Sequence, residues 1–363
     1  MTLLRGVAWE DCLLEKGKLS PELEHFVRDQ AGVVSPVSAY FAPVPWVPRA
    51  QSTFSRHRFE MTHLGPDLTD LIGLVVSHDN SCRFCYAGTR LLMCVMGFPE
   101  ERVRELEQDL LNPDLSERER LALDFARRLS RASPLPSAAD AERLVDAGWS
   151  PEAVKEIALA TVASVSTNRL TTIPALPPQR VERLSEGLLL KLASLVLGRR
   201  LRAKRDEPSR VDANPEPAKG PYAYLVWALE SLPVARTVAE ILEFEWADTT
   251  LSTRTKAFVH AVVARGVGAR VAEQEAVELL GNEGLEPDRV DAILEHLGGT
   301  QLEEVEDVGI PFARETIWYE PVQIQRSARK VRDRLSREQF TELIYVCALA
   351  NAVARLSVIA QIA

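Results

Sequence analysis

The sequence predicts an all-α protein, and three observations carry that expectation. Apolar residues recur at spacings of three and four through 101–111, 117–131, 138–147 and 151–173. Ser, Asp or Pro stands at or near the start of most of these segments, where side-chain oxygens cap free N–H groups. No long alternating apolar and polar pattern argues for a sheet.

In chain order, Pro36 to Pro48 reads as a proline-rich extended arm leading into the first domain. Leu68 to Ser77 is apolar enough for a buried helix, and His78-Asp79-Asn80-Ser81 breaks it with residues that favour N-caps. If Asn80 or Ser81 caps the next helix, Cys82 lies in its first turn, with Arg83 adding positive charge beside it. Asn112-Pro113, Ser133-Pro134 and Gly148-Trp149-Ser150-Pro151 punctuate the following helices. Gly187 to Gly198 is too short to span a bilayer. It reads as an amphipathic helix packed on the domain, with membrane contact through Arg199-Arg200-Leu201-Arg202 as the alternative. Residues 199–220 read as a linker by composition, dividing a domain at 1–198 from one at 221–363, in which Pro221 to Pro233 takes the place of the first arm.

The 363 residues, 46% of them hydrophobic, suffice for two well-filled cores. A net charge of −9 leaves no basic excess to displace counterions from phosphates, so nucleic acid is not an expected partner, and neither is a membrane. The first residues lack a signal-peptide pattern, and five scattered cysteines do not form an extracellular disulfide framework. The expected location is the cytoplasm.

Cys82 and Cys85 are the chemically informative pair. Two thiols three apart on a helix can close a disulfide and reopen it, and a helix start stabilises a thiolate. The bland alternatives are two buried thiols that never pair, or half of a metal site. A structural zinc site needs four ligands, the chain has no second Cys-x-x-Cys, and only His57, His63 and His78 lie near in sequence. Cys12, Cys94 and Cys347 read as small core residues.

The two sides of the linker repeat each other. Glu156-Ile157 and Arg169-Leu170 recur as Glu342-Leu343 and Arg355-Leu356 at an offset of 186, and Phe125-Ala126-Arg127 recurs as Phe312-Ala313-Arg314 at 187. A tandem duplication is the expectation, with two halves packed as a pseudo-twofold pair. At 186, Lys256, Gly268, Val271 and Glu275 stand where Asp70, Cys82, Cys85 and Thr89 stand, so the second half is expected to be structural.

Asp70, the apolar run 71–77, Asn80, Cys82, Phe84 and Cys85, followed by Gly97, Pro99-Glu100-Glu101, Ala147-Gly148 and Asn168-Arg169-Leu170, resemble the alkylhydroperoxidase D and carboxymuconolactone decarboxylase family. The resemblance covers roughly 40–175 closely and 221–363 more weakly. It implies an all-helical fold, trimers or other homo-oligomers, and a dithiol that reduces a hydroperoxide or disulfide. No bound organic cofactor is implied, and an external thiol or redox protein restores the dithiol. Carried over by position, Cys85 is the peroxide-reactive sulfur, Cys82 its resolving partner and Asp70 the acidic member of a proton relay. The relay histidine falls on Thr89, which cannot act as a base near neutral pH, and Asp70 is a methylene shorter than the usual Glu. His78, four before Cys82, is a candidate substitute, with a solvated or capping side chain as its alternative. The helix-start argument favours Cys82 as the lower-pKa thiol instead. Two further readings remain: a specialised biosynthetic enzyme with its pocket between the halves, and a non-enzymatic binding or scaffold protein with a vestigial redox pair.

Overall fold

The computed structural model describes residues 4–99, 101, 103–105, 115–184, 198–199, 201, 203, 219–247 and 249–362. The expected 101–111 helix lies mostly outside these residues, as do the 187–198 stretch and the 199–220 linker. Among the described residues there are 17 α-helices and no strand, so the fold is all-α.

The expected helices form where their caps are. We number them α6 (Glu117–Arg131), α7 (Ala138–Asp146) and α8 (Pro151–Thr172). Ser116 with Glu119 and Ser137 with Asp140 make capping boxes, and the Ser150 hydroxyl accepts the Ala153 N–H at 3.1 Å. The 36–48 segment is not an extended arm. It holds a 3₁₀ turn at Ser38–Tyr40, after α1 (Pro21–Ala31), and α2 (Trp46–Ser55) begins inside it. Proline fixes φ near the helical value, and in a first turn its missing N–H costs nothing, so Pro45 and Pro48 start a helix. The segment 221–233 likewise contains a short helix, α10 (Ala223–Ala228).

Two long helices, α8 and α17 (Arg337–Leu356), lie against each other at the centre, each buried on nearly every side. Around α8 pack α4 (Pro66–Asp79), α5 (Arg83–Met96) and α6; around α17 pack α12 (Thr253–Val267) and α15 (Glu304–Glu315). A span at Arg337–Gln361 is long and apolar enough to cross a membrane, but 94% of its apolar window is buried inside the protein, as a core helix requires.

Each central helix carries a buried arginine into the far side of the interface. Arg169 Nε and Nη2 donate to Thr316 O and Ile317 O, both at 2.8 Å, while Arg355 Nε donates to Ser130 O at 3.0 Å. Each also carries a buried glutamate near its start: Glu156 accepts the N–H groups of Thr62, His63 and Leu64 at 2.6–2.9 Å, and Glu342 that of Thr250 at 3.1 Å. Burying such groups costs several kcal/mol unless hydrogen bonds compensate, and these do.

The hairpins α4–α5 and α12–α13 (Arg270–Asn282) turn in the same way. Cys82 N–H donates to Ser77 O and Ala269 N–H to Ala264 O, both at 2.9 Å; Tyr86 N–H donates to Cys82 O and Glu273 N–H to Ala269 O, again both at 2.9 Å. This backbone register is 187, one residue from the spacing expected there. Buried Ala257, Ala269, Ala272 and Ala276 therefore stand opposite Asp70, Cys82, Cys85 and Thr89, and Lys256, Gly268, Val271 and Glu275 do not.

Candidate functional site

The helix break at 78–81 is closed by backbone geometry. Ser81 is in the left-handed region (φ 51°), and Asn80 Nδ2 donates to Val76 O and Ser130 Oγ, both at 3.0 Å. Neither Asn80 nor Ser81 caps α5. Cys82 is itself the N-cap, its sulfur accepting the Cys85 N–H at 3.3 Å. This is the job an Asp or Ser oxygen usually does, and it sets the Cys82 sulfur where a negative charge is favoured.

The two sulfurs meet at Thr171 on α8, whose hydroxyl lies 3.2 Å from Cys82 Sγ and 3.0 Å from Cys85 Sγ. Both thiols are free. Burial pushes the Cys82 thiol up, but hydrogen bonds with Cys85, Thr171 and Thr172 and from the Cys85 N–H more than offset it, leaving its pKa below the ordinary value. Burial pushes Cys85 well above the ordinary value, and neighbouring Cys82 adds to the rise. Access divides the other way. Cys82 is 0% exposed, whereas Cys85 lines a cavity of about 190 Å³ with His57, Arg58, Thr89, Thr167 and Asn168.

That cavity joins an apolar chamber of about 280 Å³ walled by Val27, Val33, Phe59, Leu91, Leu92 and Met96, with Arg58, Gln51 and Gly88 lining both. Asp70 lines the chamber and pairs with Arg58, so its tie to the thiol cavity runs through that guanidinium. Thr89 is buried in the cavity wall near Cys85. His78 packs its ring 6.1 Å from that of Tyr86, with Nδ1 3.9 Å from Asp79 Oδ1, and makes no hydrogen bond to either thiol. Arg83 gives its guanidinium to Glu182 at 3.0 and 3.1 Å and to Val7 O at 3.1 Å. Among the described residues, no three His, Cys, Asp or Glu side chains are grouped to hold a metal ion.

Several site residues escape a reading centred on the cysteines. Ser164, Thr167, Asn168 and Thr171 follow one another at i, i+3, i+4 and i+7 on α8, a polar stripe on an otherwise apolar helix that was visible in the sequence. Tyr319, between α15 and α16 (Pro321–Arg332), comes from beyond the linker. Its hydroxyl is buried, and its pKa is raised by burial and further by both thiols, with Arg169 and Thr172 pulling the other way. The Arg169 guanidinium sits 5.4 Å from its ring. Nothing in the local sequence announces Tyr319, because the packing of α8 on the second half brings it there.

No protein-family model, no curated protein and no solved structure matches the chain.

Proposed function

We propose that the chain is a dithiol oxidoreductase of the alkylhydroperoxidase D-like kind, reducing a hydroperoxide through Cys85 and Cys82. The observation that carries this reading is the shared Thr171 hydroxyl, with one sulfur facing a cavity and the other enclosed behind it. A hydroxyl can accept one proton while giving up another, so Thr171 can pass the Cys85 proton to the Cys82 thiolate, the favoured resting form, and shift the charge to the accessible sulfur as it attacks.

The thiolate of Cys85 attacks the terminal oxygen of the hydroperoxide. An S–O bond forms, the O–O bond breaks, and the leaving alkoxide takes a proton from solvent to become an alcohol. Cys82 then attacks the Cys85 sulfenic acid, forming the disulfide and expelling water. The two sulfurs lose two electrons and the peroxide gains them; an external dithiol returns them by exchange. Asp70 contributes by holding Arg58 at the mouth between chamber and cavity. His78 stays with Tyr86 and Asp79 and takes no part in this scheme.

We read the second half as a structural copy. The reciprocal reach of Arg169 and Arg355, together with the matched turns, supports a tandem duplication packed about a pseudo-twofold axis. Apart from Leu201 of the linker, the two described cavities at the site are lined from residues 27–168, which favours chemistry confined to the first half over a pocket between halves.

The test is a thiol count under denaturing conditions before and after stoichiometric tert-butyl hydroperoxide. Two thiols are expected to disappear per chain and to return with dithiothreitol, and neither Cys82→Ser nor Cys85→Ser should form the reversible pair. An unchanged count in the intact protein would remove the reading.

A further inference from the structure

The position that the family resemblance reserves for a histidine holds Thr89, yet the Cys85 cavity does contain an imidazole. It comes from α3 (His57–Glu60), a single turn that precedes the hairpin, and it lines the same cavity as Cys85, Thr89 and Asn168. His57 is 6% exposed. Its Nδ1 lies 2.6 Å from Phe54 O, and a carbonyl can only accept, so the proton is on Nδ1. Burial, with the Arg58 charge beside it, holds the ring neutral by lowering its pKa to about 3. Nε2 is thus left as an acceptor, with no hydrogen-bond partner among the described residues. An acceptor on a residue lining the cavity, its other nitrogen already engaged, is free to take a hydrogen bond from a ligand carrying an O–H.

We propose that His57 Nε2 accepts a hydrogen bond from the O–H of the substrate and so turns its terminal oxygen towards Cys85 Sγ. His57 is then a substrate-positioning residue, and it discriminates: a hydroperoxide carries the O–H that the imidazole needs, and a disulfide has none. The ring comes from α3 and residue 89 from α5, so the site keeps an imidazole without keeping it in the hairpin. This rests on the dithiol reading above.

The experiment compares two second-order rates for oxidation of the reduced full-length protein, one with tert-butyl hydroperoxide and one with 4,4′-dithiodipyridine, in wild type, His57→Asn and His57→Gln. Asn keeps a donor for Phe54 O and removes the acceptor, while Gln returns a carbonyl oxygen near Nε2. The ratio of the hydroperoxide rate to the disulfide rate is expected to fall about tenfold in H57N, the worth of one hydrogen bond to a reacting group, and to be restored in good part by H57Q. Thermal melts establish that both variants fold. A ratio unchanged in H57N, a parallel fall of both rates, or a fall that Gln does not restore overturns the proposal alone. A wild-type protein that reacts with the disulfide but not with the hydroperoxide removes the hydroperoxide reading, and this inference with it.

Discussion

The turn that carries Cys82 and the turn that carries Ala269 have the same backbone and different contents. Ser81 (φ 51°) and Gly268 (φ 77°) are both left-handed, and the residues after them, Cys82 (φ −81°, ψ 93°) and Ala269 (φ −83°, ψ 76°), both cap the following helix. The second turn forms with no sulfur and no side-chain cap. Cysteine at 82 and 85 is therefore not something this hairpin needs in order to fold. Where Thr171 bridges two thiols on one side, small buried alanines fill the matching positions on the other.

The sharpest way to break the comparison is to write the second turn into the first. Cys82→Ala with Cys85→Ala should abolish hydroperoxide reduction, a loss on the order of 10³-fold or more for a missing nucleophile, with unfolding free energy changed by only about 1 kcal/mol for the lost cap. Turnover and urea melts on one preparation decide it. Collapse of the fold would mean that the sulfurs hold the hairpin together, and the contrast between the turns would vanish.

The two buried arginines offer the next test, because they should cost alike if they do the same work. Arg169→Met and Arg355→Met each strand carbonyls across the α8–α17 interface and should destabilise by roughly 3 kcal/mol. Chemical denaturation measures both. Arg169 also stands 5.4 Å from the Tyr319 ring, so only its loss should in addition change thiol reactivity. Equal stability losses with unequal chemistry would support the division of labour, and a negligible loss at either site would refute the symmetry.

The first half further differs in holding a neutral, buried His57 beside its site. Its folded pKa, about 3, lies below the unfolded value near 6.5, so the unfolded chain binds the extra proton first as pH falls. The stability that this group contributes is present above about pH 6.5 and drains away towards pH 3, by at most about 1.4 kcal/mol per pH unit. His57→Gln should flatten the acid limb of stability against pH, measured by urea melts between pH 7 and pH 4. An identical limb in both proteins would mean that His57 is not the group that fails in acid.

What could be read in advance divides along physical lines. Helices α6, α7 and α8 were legible because Ser116, Ser137 and Ser150 mark their starts and local hydrogen bonds decide where a helix begins. The all-α class followed, and so did the cysteine pair. The 36–48 segment misled because proline disfavours the interior of a helix but suits its first turn, and sequence does not say which applies. The hairpin register slipped by one because the 186 offset of the matches at 156 and 169 was extended to the hairpin, where the backbone bonds follow the 187 offset already present at 125–127. Thr171 touches the thiols, His57 shares the Cys85 cavity and Tyr319 feels their charge, each from a separate element, and only tertiary packing brings them together.

The smallest expected effect is also the most direct measure of how alike the turns are. A left-handed non-glycine residue costs about 1 kcal/mol in the native state, while glycine gives back part of that through the greater freedom of its unfolded chain. Ser81→Gly should therefore stabilise by about 0.5 kcal/mol, and Gly268→Ser should destabilise by a similar amount, since a side chain there meets no atom within 4 Å and only the backbone resists. Opposite signs and comparable sizes in urea melts are what one shared turn requires. Two losses would mean that Ser81 is held by something its counterpart lacks, and the obvious candidate is the thiol pair beginning at the next residue.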